Sequence, residues 1–271
     1  MVASVGLAAC TPGAPSAQLP AVQPGDPTLE WFGWSHFRIT TRDGRVILLN
    51  PFVTGNPDAS ITLDAITKVD YILAPNGHGD EIGDTIAIAQ KTGAKVIAGG
   101  FEMGSWFIQK GIPSAQVVRS NPGNFHDLGG NVIVRVVNSV HGSGLPSPTI
   151  ENPYGGPAAG FFITLGNKPY TVYFAGSTAA TMDMEMWGSA YKPDLAILPL
   201  NNNRDPADVG FMVKLLSKDN PNLKRVIPHH QRVQPPAGAT TIDQMEQAIQ
   251  ATGSKVTVIR LQRGQTIPLK R

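Results

Sequence analysis

The chain has few of the residues that cross-link a protein, charge it strongly or carry it through a membrane. Cys10 is the only cysteine among its 271 residues, which excludes an intrachain disulfide and a cysteine-based zinc site. Charged residues make up 15% of the chain and leave a net charge of +2 without a basic cluster, so nucleic acid is not predicted as a partner. No apolar run reaches the roughly 20 residues that a membrane helix needs. The apolar content of 41% is typical of a globular protein.

The single cysteine follows Leu7-Ala8-Ala9 at the end of a short apolar segment. This arrangement resembles the lipobox of bacterial lipoproteins, whose cysteine is acylated after signal cleavage. Residues 11–27 are rich in proline, alanine, glycine and serine, a composition typical of a flexible tether. We therefore predict a lipoprotein signal and tether over residues 1–27, lipidation of Cys10, and a cell-envelope location with membrane contact only through the lipid. The alternative is a cytoplasmic protein, which the lack of lysine or arginine before Cys10 favours.

Short apolar segments recur from residue 28 onwards, and the 29 glycines and 23 prolines indicate many turns between them. The strand-like segments first follow one another and then alternate with helical ones, which predicts two sheets packed face to face with helices outside. Because no linker interrupts residues 28–271, we predict one domain there, with residues 142–157 as a lid or rim. Predicted strands cover residues 29–32, 36–40, 46–49, 71–74, 95–98, 131–137, 159–165, 170–174, 195–198, 225–227 and 256–259, and predicted helices cover residues 84–90, 101–110, 206–216 and 242–251.

The segment Asn76-Gly77-His78-Gly79-Asp80-Glu81 is the most informative part of the sequence. It directly follows a short apolar strand, so an irregular loop can turn His78 and Asp80 toward one ion, and the glycines permit the tight path. Imidazole and carboxylate together suit Zn²⁺, Mn²⁺ or Fe²⁺. A metal with an open coordination position can lower the pKa of bound water to about 7, which supplies hydroxide for attack on an ester, lactone or phosphoester.

This segment resembles the H-x-H-x-D-H motif of the metallo-β-lactamase fold, and three further segments support the resemblance. His141 follows the predicted strand over residues 131–137, where the family has its next histidine ligand. Phe174-Ala175-Gly176-Ser177-Thr178 resembles the segment A-G-D-T, whose aspartate bridges two metals. Val226-Ile227-Pro228-His229-His230 resembles V-I-P-x-H, whose histidine is the last ligand. The resemblance implies an αββα sandwich of the α/β class.

Local segments narrow the resemblance to the ascorbate-6-phosphate lactonase-like branch of this fold. They include Trp31-Phe32-Gly33, Lys68-Val69-Asp70-Tyr71-Ile72-Leu73 and Lys192-Pro193-Asp194-Leu195. The resemblance extends over nearly all of the chain after residue 28. It implies a small-molecule substrate but does not identify one, because the fold carries many hydrolytic reactions.

The resemblance also implies a ligand set and a weakened metal centre. Implied metal ligands are His78, Asp80, Glu81, His141 and His230, with Asp80 and His78 as catalytic residues. The family's first histidine is Asn76 here and its bridging aspartate is Ser177, while Asn50 stands where the family has an aspartate before proline. An amide oxygen is a weak ligand for a transition metal, and a neutral hydroxyl adds no charge between two cations. We therefore expect one divalent metal, zinc or manganese, rather than two.

Two functions remain open at this point. The first is a metal-dependent hydrolase that acts on a lactone, ester or phosphoester through metal-bound hydroxide. The alternative is a cell-envelope binding or scaffold protein that kept the fold but lost the metal centre. The histidines outside the motif, His36, His126 and His229, are interpreted as structural, and Trp34 is interpreted as a core-packing residue.

Overall fold

The computed structural model describes residues 19–147 and 153–271. Their strands in chain order are β1 (Thr28–Trp31), β2 (Phe37–Thr40), β3 (Val46–Leu49), β4 (Tyr71–Ala74), β5 (Lys95–Ala98), β6 (Val117–Arg119), β7 (Phe125–Asp127), β8 (Val132–Asn138), β9 (Ala159–Leu165), β10 (Tyr170–Phe174), β11 (Leu195–Pro199), β12 (Arg225–His229), β13 (Thr257–Val258) and β14 (Thr266–Pro268). The helices are α1 (Gly79–Ile82), α2 (Thr85–Thr92), α3 (Phe101–Gln109), α4 (Asp183–Tyr191), α5 (Pro206–Ser217) and α6 (Ile242–Ala251).

The strands form two mixed sheets of seven. The first sheet has the order β14-β1-β2-β3-β4-β5-β6, and the second has the order β13-β12-β11-β10-β9-β8-β7. In the first sheet β14 to β3 are antiparallel, whereas β3 to β6 are parallel. In the second sheet β7 to β10 are antiparallel, whereas β10 to β13 are parallel. Each sheet therefore joins a meander to a parallel half that is covered by helices.

Three apolar clusters hold these layers together. The central cluster lies between the sheets and includes Phe37, Phe161 and Ile197, all fully buried. A second cluster joins α4, α5 and α6 to the outer face of the second sheet, and a third joins α2 and α3 to the outer face of the first. The strands buried on both faces, such as β10 and β11, have no polar alternation because helices cover their outer side. This is the predicted αββα sandwich.

The topology brings the predicted site residues to one edge of the sandwich. Neighbouring parallel strands have their carboxyl ends at the same edge, and open α/β sheets place ligands there. Asn50 follows β3, residues 75–78 follow β4, residues 175–177 follow β10, and His230 follows β12. The loops after these strands therefore meet where the two sheets open.

The structure extends some sequence predictions and leaves others untested. Leu19 packs against the central cluster and the carboxylate of Asp26 pairs with Lys270 at 2.8 Å, so the packed domain starts before residue 28. Cys10 and the rest of residues 1–18 lie outside the described residues, as do residues 148–152 of the predicted lid. Helices α1 and α4 and strands β6, β7 and β14 were not predicted, and Asp80 lies in α1 rather than in the irregular loop that was expected. None of the helices in residues 19–147 and 153–271 has the length and apolar character of a membrane span.

Candidate metal centre

The ring of His230 lies between two carboxylates. Its Nε2 is 3.0 Å from Asp80 Oδ2, and its Nδ1 is 3.4 Å from Glu81 Oε1. Asp80 and Glu81 are consecutive in the short helix α1, so their side chains diverge by about 100° and reach opposite edges of the ring. Burial alone would lower the pKa of His230, but hydrogen bonds and charges from both carboxylates outweigh it and raise this pKa to about 9.

Asp80 has a second donor besides His230. The indole Nε1 of Trp34 donates to Asp80 Oδ2 at 3.0 Å. Burial raises the pKa of Asp80, whereas the hydrogen bond and charge of His230 and the hydrogen bond from Trp34 lower it, and the net result is about 2. Asp80 is therefore a carboxylate at neutral pH.

Glu81 is fully buried, and two uncharged side chains donate hydrogen bonds to it. Its Oε1 accepts a hydrogen bond from Ser177 Oγ at 2.5 Å, and its Oε2 accepts one from the side-chain amide of Asn50. Ser177 Oγ also lies 3.1 Å from His230 Nδ1. Burial would raise the pKa of Glu81, but the bonds from His230 and Ser177 and the charge of His230 outweigh it and lower this pKa. Asn50 and Ser177, two of the three positions that differ from the family pattern, thus donate hydrogen bonds to a buried carboxylate.

Trp34 has a different role from the predicted one. Its ring is 5.3 Å from that of His230, and its carbonyl accepts the backbone N–H of His230 at 3.2 Å. Trp34 has a φ of 55°, a left-handed conformation that is unusual for a bulky residue. The interpretation as a core-packing residue was wrong, because this turn after Gly33 directs the indole toward the site. Sequence alone gave no signal for it.

Two other predicted ligands, His78 and His141, also lie close to each other. The rings of His78 and His141 meet edge to face with their centroids 5.0 Å apart. Burial and the charge of His78 lower the pKa of His141, which favours the neutral imidazole that can act as a ligand. Gly142 lies beside this pair, and a Cβ there would be in ordinary van der Waals contact with His78 Nε2 at 3.5 Å.

Asn76 does not direct an oxygen toward these histidines. Its Oδ1 accepts the backbone N–H of His78 at 3.0 Å, which leaves Nδ2 as the other polar atom of the side chain. Nδ2 is buried without a hydrogen-bond partner. An amide nitrogen with two hydrogens is a donor and cannot ligate a cation. Asn76 therefore adds no ligand to the pair of His78 and His141.

The remaining histidines of the core do not join the site. His229 is fully buried, and its Nδ1 bonds Ser35 Oγ at 3.0 Å. His36 is also fully buried, and burial lowers the pKa of each of these two histidines to about 3. His126 pairs with Ser120 Oγ at 2.8 Å, on β7 at the far edge of the second sheet.

Two of these ligand atoms, His230 Nε2 and Asp80 Oδ2, are spaced to share one ion, and the substituted positions do not fit a two-ion centre. The separation of 3.0 Å between His230 Nε2 and Asp80 Oδ2 is that of two donors with bonds of about 2.1 Å to a shared ion at roughly right angles. Ser177 and Asn76 provide no charge or free oxygen for a second ion. Within residues 19–147 and 153–271, no group of three or more histidine, cysteine, aspartate or glutamate side chains is placed to hold a metal ion. The site consists of two donor pairs.

Comparisons with known proteins agree with the fold. Residues 45–260 match the model of the Beta-lactamase superfamily domain. A UPF0173 metal-dependent hydrolase of Thermodesulfovibrio yellowstonii is 31% identical over 261 residues, which cover 93% of this chain and 96% of that relative. The chain belongs to the UPF0173 metal-dependent hydrolase family of the β-lactamase superfamily.

Two further relatives support this membership. A UPF0173 metal-dependent hydrolase of Koribacter versatilis is 34% identical over 204 residues, which cover 74% of this chain and 83% of that protein. The solved structure of Igni18, a metallo hydrolase from Ignicoccus hospitalis, is 26% identical with a TM-score of 0.74, and the match covers 90% of this chain and 99% of Igni18. Membership of a metal-dependent family implies a divalent metal, without identifying which one.

Proposed function

We propose that this UPF0173 family member hydrolyses an ester, lactone or phosphoester of a small molecule with the help of one divalent ion, zinc or manganese. The residues that would hold the ion are His78, Asp80, His141 and His230. The pair of His230 Nε2 and Asp80 Oδ2, 3.0 Å apart, carries the proposal, because these two donors can share an ion without moving apart. When bound, such an ion lowers the pKa of water and polarises the bond to be cleaved.

Trp34 orients the carboxylate of Asp80. Trp34 fixes one oxygen of Asp80, which leaves the other oxygen able to accept a proton from an attacking water. Three of the five non-glycine residues with positive φ in the described chain are Trp34, Asn50 and His230. Each such conformation costs about 1–3 kcal/mol, and such residues cluster at functional sites. Their grouping around one carboxylate pair supports a site with a function.

Metal analysis together with a hydrolase screen tests this proposal. Protein purified from metal-supplemented medium is expected to hold about one equivalent of a divalent ion. Its activity on a panel of esters, lactones and phosphoesters is expected to be lost with a chelator and in the His78→Ala variant. His126→Ala is the matched control, because it removes an imidazole that is bonded to Ser120 outside the site. Activity that persists in His78→Ala would contradict the proposal.

A second candidate function is a binding protein of the cell envelope without a metal. The observation that favours it is the absence of a complete ligand set in the described residues, together with the donor group that Asn76 presents. This candidate predicts less than about a tenth of an equivalent of any transition metal after purification. It also predicts no hydrolysis across the panel.

A further inference from the structure

The carboxylate of Glu81 has both of its oxygens engaged with neighbouring side chains. It is fully buried, Oε1 accepts the Ser177 hydroxyl, and Oε2 accepts the Asn50 amide. Its remaining neighbour is Nδ1 of His230, on the edge of the ring opposite to Asp80. Glu81 thus contacts the Nδ1 edge of His230, whereas the Nε2 edge of the same ring faces Asp80.

We propose that Glu81 is a positioning residue that, together with Ser177, fixes the ring of His230 so that Nε2 faces Asp80. The inference deepens the proposed function and rests on it wherever an ion is concerned. An imidazole ring can turn and can carry its hydrogen on either nitrogen, and the partner of one nitrogen decides what the other can do. Metal-ligating histidines commonly have a carboxylate or carbonyl at the second nitrogen, which fixes the ring and its tautomer.

The distances show which of the two neighbours, Ser177 or Glu81, is closer to Nδ1 of His230. Nδ1 of His230 is 3.1 Å from Ser177 Oγ and 3.4 Å from Glu81 Oε1, so the hydroxyl is the closer partner. The Ser177 hydroxyl in turn donates to Glu81 Oε1. The Ser177 hydroxyl therefore accepts a hydrogen bond from Nδ1 of His230 and donates one to Glu81 Oε1. Ser177 thus links the ring to the carboxylate.

The neutral residues at positions 50 and 177 are those that a buried carboxylate needs. A buried charge is costly unless donors surround it, and Asn50 and Ser177 each provide one. A carboxylate at either position would place like charges together beside Glu81 and raise the pKa of one of them. Asn50, Glu81 and Ser177 therefore act as one unit, with a single negative charge behind His230.

The test measures metal binding by competition with a chromophoric chelator, and ligand geometry by the absorption bands of the Co²⁺-loaded protein. In Glu81→Gln, the dissociation constant for Zn²⁺ is expected to rise about 10–100-fold, with Co²⁺ bands at saturation in the wild-type positions. Ser177→Ala is expected to change the affinity in the same direction by a smaller factor. Glu30→Gln is the matched control, since its carboxylate pairs with Arg38 outside the site.

The double variant Asn50→Asp with Glu81→Gln separates a folding defect from a positioning defect. The new glutamine amide can donate to the new aspartate, so the variant keeps a buried hydrogen bond and one negative charge, but the charge has moved away from His230. Wild-type stability with weakened Zn²⁺ affinity is the expected result. An unchanged dissociation constant in Glu81→Gln, or shifted Co²⁺ bands that make Glu81 a ligand, would overturn the proposal.

A wild-type protein that binds neither Zn²⁺ nor Co²⁺ would contradict the proposed function. The positioning role of Glu81 can still be tested in that case. Crystal structures of the metal-free wild type and of Glu81→Gln then give the answer. A ring of His230 that turns in the variant supports the positioning role. A ring that keeps its orientation overturns it.

Discussion

The indole of Trp34 donates to Oδ2 of Asp80, the same oxygen that lies 3.0 Å from His230 Nε2. One carboxylate oxygen therefore has both a fixed neutral donor and a histidine beside it. Because the indole is an uncharged donor, it orients Asp80 without neutralising it. This contact makes Trp34 part of the site, although the sequence pattern does not mark it.

Replacing Trp34 by phenylalanine tests this role. Trp34→Phe keeps an aromatic ring near His230 but removes the hydrogen bond to Asp80, so we expect metal affinity to fall by about tenfold with little change in stability. Isothermal titration with Zn²⁺ measures the affinity. Trp106→Phe serves as a control on helix α3, away from the site. Equal affinity in wild type and Trp34→Phe would show that the contact has no effect on the ion.

Restoring the family's ligands should strengthen the metal site. The double variant Asn76→His with Ser177→Asp returns an imidazole beside His78 and an anionic group beside Glu81 and Nδ1 of His230. We expect the metal content to rise from about one toward two equivalents, although Glu81 would then face a like charge and limit the gain. Elemental analysis of the purified variant measures this. Unchanged stoichiometry would contradict the assignment of positions 76 and 177 as substituted ligands.

The buried His36 makes the fold sensitive to acid. Its pKa is lowered from 6.5 to about 3 by burial, and neither ring nitrogen has a hydrogen-bond partner. Between these two values the unfolded chain binds a proton that the folded chain does not, so stability falls as the pH drops below 6.5. The slope from this residue is about 1.4 kcal/mol per pH unit.

Urea unfolding at several pH values from 7 to 4 measures this contribution. His36→Phe should have a shallower loss of unfolding free energy in this range than the wild type, because the variant has no group to protonate there. His126→Phe is the control, since that ring is only half-buried. Parallel pH curves for wild type and His36→Phe would be inconsistent with a neutral buried histidine.

The location of the protein is a separate prediction. We propose export and acylation at Cys10, on the basis of Leu7-Ala8-Ala9-Cys10 and the tether-like composition that follows it. Several acyl chains on the cysteine would be needed for firm anchoring, since one chain binds membranes only marginally. Fractionation of cells that express the full reading frame is expected to recover the wild type with membranes and Cys10→Ser in a soluble fraction. Recovery of both in the cytosol would support the cytoplasmic alternative.

The sequence predicts the fold better than it predicts the chemistry of the site. Apolar runs such as β10 and β11 and the helix start at Asp205-Pro206 follow local rules, and Asp205 caps α5 by accepting the N–H of Ala207 at 2.9 Å. Strand β14 was missed because its three residues acquire order only by pairing with β1. Local patterns do not record such long-range pairings.

The site was predicted only in part, because local patterns do not record its long-range contacts either. The motif around His78 and the resemblance at His230 identify the candidate donors, because family patterns record ligand positions. They do not indicate that Glu81 lies behind His230, since that depends on which way two consecutive helical side chains point. Trp34 likewise depends on a single left-handed turn. These contacts are properties of the packed structure.

Anomalous diffraction from crystals grown with Zn²⁺ shows whether Asp80 and His230 share an ion. We expect one anomalous peak within bonding distance of Asp80 Oδ2 and His230 Nε2, with Glu81 outside the coordination sphere and still bonded to Ser177. Either no peak at this edge of the sandwich, or a peak coordinated by Glu81, would contradict this expectation.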